Sequence, residues 1–311
     1  MRNKKVFSLC AVALTLALFS GCAATNKVNF DNYWDTDSLL SPQNVRETLT
    51  YDVTFDNKNA SSIGYELAYT NGTYTTDLVF ANGNYTYTST FSIDVTYTLN
   101  GASKNFTDSI TSTVVFTTAE NALYPVSSTK TVFNHSPVGT KQTNVENCYK
   151  EYNYKVTTTY SDTKGVCETV NNVKLETKQT TFKTNGDHRY LDNEQLLFAF
   201  RGFSNSTSSG KFLVYSPFVR RLQSVNFALS ENAKGNFTFT KNGENKEREI
   251  SYRVVQMQLN EKNPGSIQTA KYAAVTNPSS NEYRNVMLSL ETPLPYNLGK
   301  LVYTLNSATY Q

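Results

Sequence analysis

Apolar and polar residues alternate with a period of two along most of this chain from residue 49 onward. Residues 49–55 place leucine, tyrosine, valine and phenylalanine at every second position, and residues 63–69 repeat the pattern. Such alternation is typical of β-strands with one buried face. Asn71-Gly72, Asn82-Gly83 and Asn100-Gly101 separate or end such runs, and Asn-Gly tolerates the positive φ of tight hairpin turns. The pattern predicts a series of antiparallel hairpins.

The longest alternating run predicts an unusually long strand. Its apolar positions, interrupted only by Ser89 and called the apolar stripe below, are Tyr85, Tyr87, Phe91, Ile93, Val95, Tyr97 and Leu99. These 15 residues would extend about 50 Å at ~3.3 Å per residue, so the strand must twist and coil to keep one face on a core. Threonine, serine and aspartate occupy the other face, which we expect to meet water.

Further strands follow from shorter alternating runs. We expect them at residues 152–160, 225–229, 237–240, 250–259, 267–274, 286–290 and 301–305. The segment from Asp192 to Arg201 breaks the period of two, with an apolar stripe of Leu196, Leu197 and Phe200. Asp192 suits an N-cap, Gln195 follows three residues later and Gly202 can end the turn. This segment predicts a short helix over the open side of the sheet.

The predicted fold class is mainly β. We expect a large, strongly curved antiparallel sheet, as a half-barrel or open barrel, with one or a few short covering helices. About 290 residues follow the N-terminal segment, enough for a large core in a single domain over residues 45–311. Two fused β units with a boundary near residue 185 are the alternative.

The N-terminus has the pattern of a signal peptide. Arg2, Lys4 and Lys5 precede an apolar run of 14 residues, from Val6 to Phe19. The run is too short for a membrane-spanning helix, which needs roughly 20 residues. A basic start followed by a short apolar run predicts a signal peptide over residues 1–21.

The end of this segment, Leu18-Phe19-Ser20-Gly21-Cys22, resembles the lipobox of bacterial lipoprotein precursors. The resemblance implies cleavage before Cys22, a thioether-linked diacylglycerol on its side chain, and a tether over residues 22–44. Two acyl chains suffice for stable anchoring. The protein is expected to be anchored in a cell membrane and to face outside the cytoplasm. In a cell with two membranes, Ala23 in place of Asp after the acylated cysteine favours the outer membrane. Ordinary secretion with cleavage near Ala23-Ala24 is the alternative.

Charge argues against nucleic acid as a partner. The chain has 29 Lys and Arg against 26 Asp and Glu, and three of the basic residues belong to the signal peptide. Removing those three leaves 26 against 26. A balance near zero without a basic cluster disfavours binding to nucleic acid and polybasic attachment to anionic lipid. Attachment to the membrane is therefore expected through a lipid anchor on Cys22. The sequence does not identify protein partners.

Candidate chemistry is sparse, and we expect no enzyme, cofactor or metal site. His135 and His188 lack a paired metal-ligand spacing, so both are interpreted as surface loop residues. The chain has no nucleophile elbow, phosphate-binding glycine loop or dinucleotide fingerprint. Asp35 and Asp37 lack the glycine and glutamate of a calcium loop and fit a solvated tether. A carboxylate pair for glycoside hydrolysis stays open, because such pairs meet only in three dimensions.

Cys148 and Cys167 are the pair left once Cys10 is removed with the signal peptide and Cys22 is acylated. A disulfide between them is one alternative outside the cytoplasm. A hairpin turn over residues 161–165 would place Cys167 opposite about Thr159, away from Cys148, which disfavours the bridge. Both alternatives stay open.

The C-terminal part resembles a known architecture. Residues 190–201 (YLDNEQLLFAFR), 291–296 (ETPLPY) and 301–305 (LVYTL) are similar to an uncharacterised bacterial extracytoplasmic domain family. Its members share a plan with the curved half-barrels of LolA/LolB-type and LppX-type lipoprotein carriers. The resemblance implies a helix after the central strands and a proline-rich break before the last strand, but no ligand-contacting residue.

Three functions follow as hypotheses. The first is a lipid-anchored, non-catalytic binding or carrier module that holds a lipid or another amphiphile against the apolar stripe. The second is a cell-surface interaction or envelope-structural protein without a small-molecule ligand, in which the stripe is ordinary core. The third, an enzyme, would require facing carboxylates in a cleft. An enclosed apolar pocket of several hundred Å³ would favour the first hypothesis, and a fully packed core would favour the second.

Overall fold

The computed structural model describes residues 46–57, 63–119, 122–184, 190–203, 207–217, 221–258, 267–274 and 282–310. The predicted signal peptide, Cys22 and the predicted tether lie outside these residues. Sixteen strands are found within them: β1 (Arg46–Asn57), β2 (Glu66–Ala81), β3 (Asn84–Leu99), β4 (Ala102–Ala119), β5 (Ala122–Pro137), β6 (Tyr149–Tyr160), β7 (Lys164–Asn171), β8 (Glu176–Lys183), β9 (Leu191–Asp192), β10 (Ser209–Ser216), β11 (Arg221–Leu229), β12 (Ala233–Lys241), β13 (Glu244–Gln258), β14 (Ile267–Ala273), β15 (Met287–Pro293) and β16 (Gly299–Tyr310).

All sixteen strands belong to one sheet. β1 to β8 pair consecutively and antiparallel, and β1 also pairs antiparallel with β16, so the sheet runs through both halves of the chain. It continues through β15, β14, β13, β11 and β10 to β9. β12 pairs with β13 and runs parallel to β16, which closes β12–β16 into a five-stranded barrel. The prediction of a mainly β protein with a large curved sheet is confirmed, and the closed barrel is added to it.

The long strand predicted around the apolar stripe is present as β3. Its 16 residues alternate between buried and more exposed positions as the sequence indicates. On the face opposite the stripe, hydroxyl groups pair across strands, as in the 3.1 Å contact between Thr88 and Thr113. Such cross-strand pairs stabilise a half-solvated sheet. The turns at Asn82-Gly83 and Asn100-Gly101 have positive φ at both residues, as predicted.

Asn71-Gly72 is a bulge and not the predicted hairpin turn. Asn71 has the expected positive φ of 53°, but it lies inside β2, whose pairing with β3 shifts between Thr70 and Thr73. Glycine is required here because a Cβ on Gly72 would lie 2.4 Å from the carbonyl oxygen of Val53. The bulge lets one strand of 16 residues follow the curvature of the sheet.

Residues 190–203, called the plug below, cover the sheet face that carries the apolar stripe. A 3₁₀ turn (Asn193–Gln195), helix α1 (Leu196–Ala199) and a second 3₁₀ turn (Phe200–Gly202) follow one another. The predicted cap is confirmed as a capping box. The backbone N–H of Asp192 donates to Oε1 of Gln195, and the side chain of Asp192 accepts from the backbone N–H of Glu194. The plug belongs to one cluster of buried apolar residues that spans both halves of the chain.

Candidate functional site

The apolar stripe is packed against the protein's own side chains. Its residues from Tyr85 to Tyr97 are at most 7% exposed, and Leu99 is half-buried. The rings of Tyr87 and Phe198 of the plug lie 5.3 Å apart between centroids, and Phe91 lies 6.2 Å from Tyr303. Since the plug lies where an amphiphile would contact the stripe, a ligand there would have to displace it. A ligand-facing role of the stripe stays a prediction.

A polar row crosses this apolar face beneath the plug. Thr76, Ser89, Ser112 and Lys130 lie directly opposite one another on β2, β3, β4 and β5. The hydroxyl groups of Ser89 and Ser112 are 2.8 Å apart. Thr76, Ser112 and Lys130 are each 3% exposed. Buried polar groups need partners, and the plug supplies those for the end of the row.

Glu194 of the plug pairs with Lys130 inside the protein. The Nζ atom of Lys130 donates to Oε1 of Glu194 over 3.0 Å, and Nδ2 of Asn193 donates to the same oxygen over 2.9 Å. Burial acts to raise the pKa of Glu194, but the Lys130 ammonium and the hydrogen bonds outweigh it and lower that pKa. The pair is therefore a buried ion pair that fixes the start of the plug to β5.

Asp192 forms a second clamp at the same end of the plug. The hydroxyl groups of Ser128 and Tyr160 each donate to its Oδ2 atom over 2.5 Å, and the backbone N–H of Glu194 donates to Oδ1 over 2.8 Å. Burial, followed by the neighbouring charge of Glu194, raises the pKa of Asp192 to about 6 against these hydrogen bonds. The plug thus starts at a carboxyl group that titrates near neutral pH.

Arg201 holds the other end of the plug. Its Nη1 and Nη2 atoms donate to the two carboxylate oxygens of Glu47 on β1 over 2.6 and 2.8 Å. Its Nε and Nη2 atoms also donate to the carbonyl oxygen of Arg284, while Nδ2 of Asn285 donates to the carbonyl oxygen of Arg201. Burial acts to lower the pKa of Arg201, but the carboxylate of Glu47 raises it above its ordinary value.

The backbone at the partner turn of Arg201 is unusual. Arg284 and Asn285 have φ values of 44° and 52°, in the left-handed region that non-glycine residues seldom occupy. Both residues are buried, at 2% and 4% exposure. In this conformation the carbonyl oxygen of Arg284 accepts from the guanidinium of Arg201, and the side-chain amide of Asn285 donates to the carbonyl oxygen of Arg201. These hydrogen bonds offset the cost of the left-handed backbone.

Two small cavities adjoin the plug. One is lined by the plug residues Glu194 and Leu197 together with Tyr74, Ser89, Phe91, Ile110 and Lys130, and has a volume of about 20 Å³. The other, lined in part by Phe200, Arg253 and Asn285, is of the same size. A volume of this size holds about one water molecule. Neither cavity approaches the several hundred Å³ of a ligand pocket.

His135 is buried, so its interpretation as a surface loop residue is wrong. It lies in β5 at 2% exposure, with Nδ1 2.9 Å from Oδ1 of Asp108 and its ring stacked on Phe106 at 3.7 Å. Asp108 also accepts from Nδ2 of Asn134 over 3.1 Å. Burial raises the pKa of Asp108 against these hydrogen bonds. His188, Asp35 and Asp37 lie outside the described residues.

Cys148 and Cys167 are free thiols in this structure, so the disulfide alternative is not formed. Cys167 on β7 lies opposite Thr158, one position from the expected Thr159, and Cys148 lies just before β6. Ten residues of strand, about 33 Å at ~3.3 Å per residue, separate Cys148 from position 158. A bridge needs Cβ atoms ~3.8 Å apart.

The buried charged residues on the sheet were missed from the sequence, although a signal was present. Glu47 lies in phase with the apolar positions Leu49 and Tyr51, and Asp108 lies in phase with Phe106 and Ile110. A charged residue at an inward position of a strand needs a buried partner. The sequence alone does not reveal that the plug supplies that partner for Glu47.

Comparison with known proteins gives no match: no family model, curated protein or solved structure matches the chain. The resemblance to bacterial lipoproteins and half-barrel carriers therefore stays a prediction from the residues. Within the described ranges, no group of three or more His, Cys, Asp and Glu side chains is arranged to hold a metal ion. No helix there has the length and apolar character needed to cross a membrane.

Proposed function

We propose that the protein is a lipid-anchored, non-catalytic interaction protein of the cell envelope, held outside the cytoplasm by an acylated Cys22. The motif around Cys22 supports the anchor. The observation that carries the choice between carrier and interaction protein is the contact of the apolar stripe with the plug. Tyr87 and Phe116 both contact the ring of Phe198, at 5.3 and 5.1 Å. In this proposal binding falls to the surface of the body, because side chains of the plug occupy the face of the stripe.

The carrier function remains as a second proposal, because of how the plug is attached. Its two ends are held by the polar contacts of Asp192, Glu194 and Arg201, while its apolar centre rests on the stripe. Displacement of the plug would uncover the aromatic and aliphatic side chains of the stripe, crossed by the polar row of Thr76, Ser89, Ser112 and Lys130. A lipid or other amphiphile would then take the place of Phe198 and the neighbouring plug residues against β3.

Mass spectrometry tests the anchor, on which both proposals depend. The full chain is produced in a bacterial host, and the mass of its N-terminal peptide is compared with that of a Cys22→Ser variant. We expect a diacylglycerol-modified Cys22 in the first and no modification in the second. An unmodified Cys22 in the processed protein would overturn the anchor.

Extraction of bound lipid separates the interaction protein from the carrier. The body without signal peptide and anchor, residues 23–311, is purified without detergent, incubated with total membrane lipids and extracted with organic solvent. We expect no stoichiometric lipid in the extract. A stoichiometric lipid that is lost from a Phe91→Asp variant of proven fold would replace the interaction proposal with the carrier.

A further inference from the structure

Several exposed apolar side chains lie at the same end of the strands. Because neighbouring strands are antiparallel, the ends of β1, β3, β5, β7 and β15 lie beside the starts of β2, β4, β6, β8, β14 and β16. Four of the exposed large hydrophobic residues lie at this end, here called the apolar rim: Val173, Leu175, Ile267 and Tyr296. Their exposed fractions are 51%, 90%, 36% and 45%. Val126, also exposed, lies at the opposite end.

Two residues of the rim have an unfavourable backbone conformation. Leu175 and Tyr296 have φ values of 51° and 60°, in the left-handed region. At the turns beginning with Asn82, Asn100 and Asn242 the same region is occupied by Asn-Gly pairs, which adopt it at low cost. Leucine is a poor choice for a left-handed turn, and at 90% exposure it gains almost no burial in return. Strain of this kind is a reason to look for a function.

Tyr296 is fixed on the rim by packing. Its ring lies on the backbone of Gly139, where an added Cβ would come within 2.1 Å of Cδ1 of Tyr296. The ring therefore packs on the connection between β5 and β6 and still leaves 45% of the residue exposed. Two turns from opposite halves of the chain, β7–β8 and β15–β16, thus present an apolar side chain at the same end of the sheet.

The chemistry of the rim fits a lipid bilayer. Lys174, between Val173 and Leu175, is exposed, and Lys141 is exposed in the connection on which Tyr296 packs. Apolar side chains that enter the acyl boundary, with lysines at headgroup depth, are typical of interfacial attachment. Tyrosine is enriched at the same depth. We propose that the apolar rim contacts the surface of the membrane in which Cys22 is anchored, a contact that rests on the proposed lipidation.

The length of the chain before β1 permits this contact. β1 begins at the end of the sheet opposite the rim, since Arg46 pairs with Val79 near the end of β2. The 24 residues from Cys22 to Arg46 span at most about 80 Å when fully extended. The 16 residues of β2 extend only about 53 Å at ~3.3 Å per residue. The anchor can therefore reach a membrane that faces the rim.

A fluorescent probe on the rim tests the contact. Leu175→Cys is introduced into the full chain and labelled with an environment-sensitive dye, and Cys148 and Cys167 stay unlabelled because they are 0% and 2% exposed. The control is Ala81→Cys, at an exposed turn of the opposite end. Each protein is reconstituted into vesicles of phosphatidylcholine and phosphatidylglycerol. We expect a blue shift and quenching by brominated lipid at position 175 and neither at position 81.

Several outcomes would overturn the proposal. Equal, water-like emission at both positions means that the rim does not touch the bilayer. A blue shift at position 175 without vesicles means that a second copy of the chain or another protein covers the rim. The anchor is scored separately by the mass of the Cys22 peptide, so failure of the rim and failure of the anchor are distinguishable. A Val173→Ser, Leu175→Asn double variant, which changes only exposed residues, should lower vesicle binding of residues 23–311 severalfold.

Discussion

Arg201 and Glu47, 154 residues apart in sequence, form a bidentate ion pair inside the protein. Their exposed fractions are 3% and 1%. The pair joins the end of the plug to the first strand of the sheet. Isolated charges are costly inside a protein, so each member depends on the other. The plug is therefore fixed at this end by charge, while its centre is fixed by apolar contacts.

Removal of one partner should be more damaging than removal of both. Glu47→Gln leaves the Arg201 guanidinium without its counter-charge and should lower the free energy of unfolding by about 3 kcal/mol. The Glu47→Leu, Arg201→Met double variant should recover much of this loss. Urea unfolding followed by fluorescence measures both. Equal losses in the single and the double variant would show that the pair itself, and not the isolated charge, determines stability.

Asp192 should make stability fall as the pH rises from about 4 to about 6. Its folded pKa of about 6 lies above the ordinary value of 3.8, so the folded state binds the proton more tightly than the unfolded state. The contribution is lost as pH rises through the folded pKa, by up to about 3 kcal/mol at 1.36 kcal/mol per pKa unit.

The difference between wild type and Asp192→Asn isolates this group. Urea unfolding of both proteins at a series of pH values should give a difference that grows with pH and levels off above about 6. Asn keeps a similar shape without the charge. A constant difference across this range would mean that Asp192 does not titrate in the folded protein.

Phe198→Ala should open a cavity between the plug and the stripe. The ring of Phe198 contacts Tyr87 and Phe116 and is 1% exposed. Loss of a buried phenylalanine ring typically costs about 3–5 kcal/mol. Thermal unfolding measures the loss, and Val126→Ala, at 42% exposure, is the control with an expected change near zero. A small loss at Phe198 would show that the plug is loosely packed.

With Cys10 removed and Cys22 acylated, as proposed, two thiols should titrate, and only after unfolding. Cys148 and Cys167 are free and buried, and burial raises the pKa of the Cys148 thiol, which lowers its reactivity further. A thiol reagent should therefore react slowly in buffer and with two equivalents in denaturant. One or no equivalent in denaturant would contradict the free thiols.

The long hairpins and the plug could be predicted because their signals are local. β3 has a period of two that is interrupted only at Ser89, and the capping residues of the plug lie within four positions of each other. β5 was missed because its inward positions include Ser128, Lys130 and Asn134, whose burial depends on partners elsewhere in the chain. Asn71-Gly72 was misread because turns and bulges favour the same φ, and only the pairing with β3 on both sides decides between them.

The pairing of β1 with β16 sets an order of events during synthesis. Glu47 lies opposite Tyr310, so β1 stays without one of its two neighbours until residues 299–310 have been made. Closing so long a loop is slow. A partly synthesised chain would meanwhile present β1 as an open edge, ready to pair with other chains. A chain that lacks β16 would keep this edge open permanently, so loss of β16 should cause aggregation.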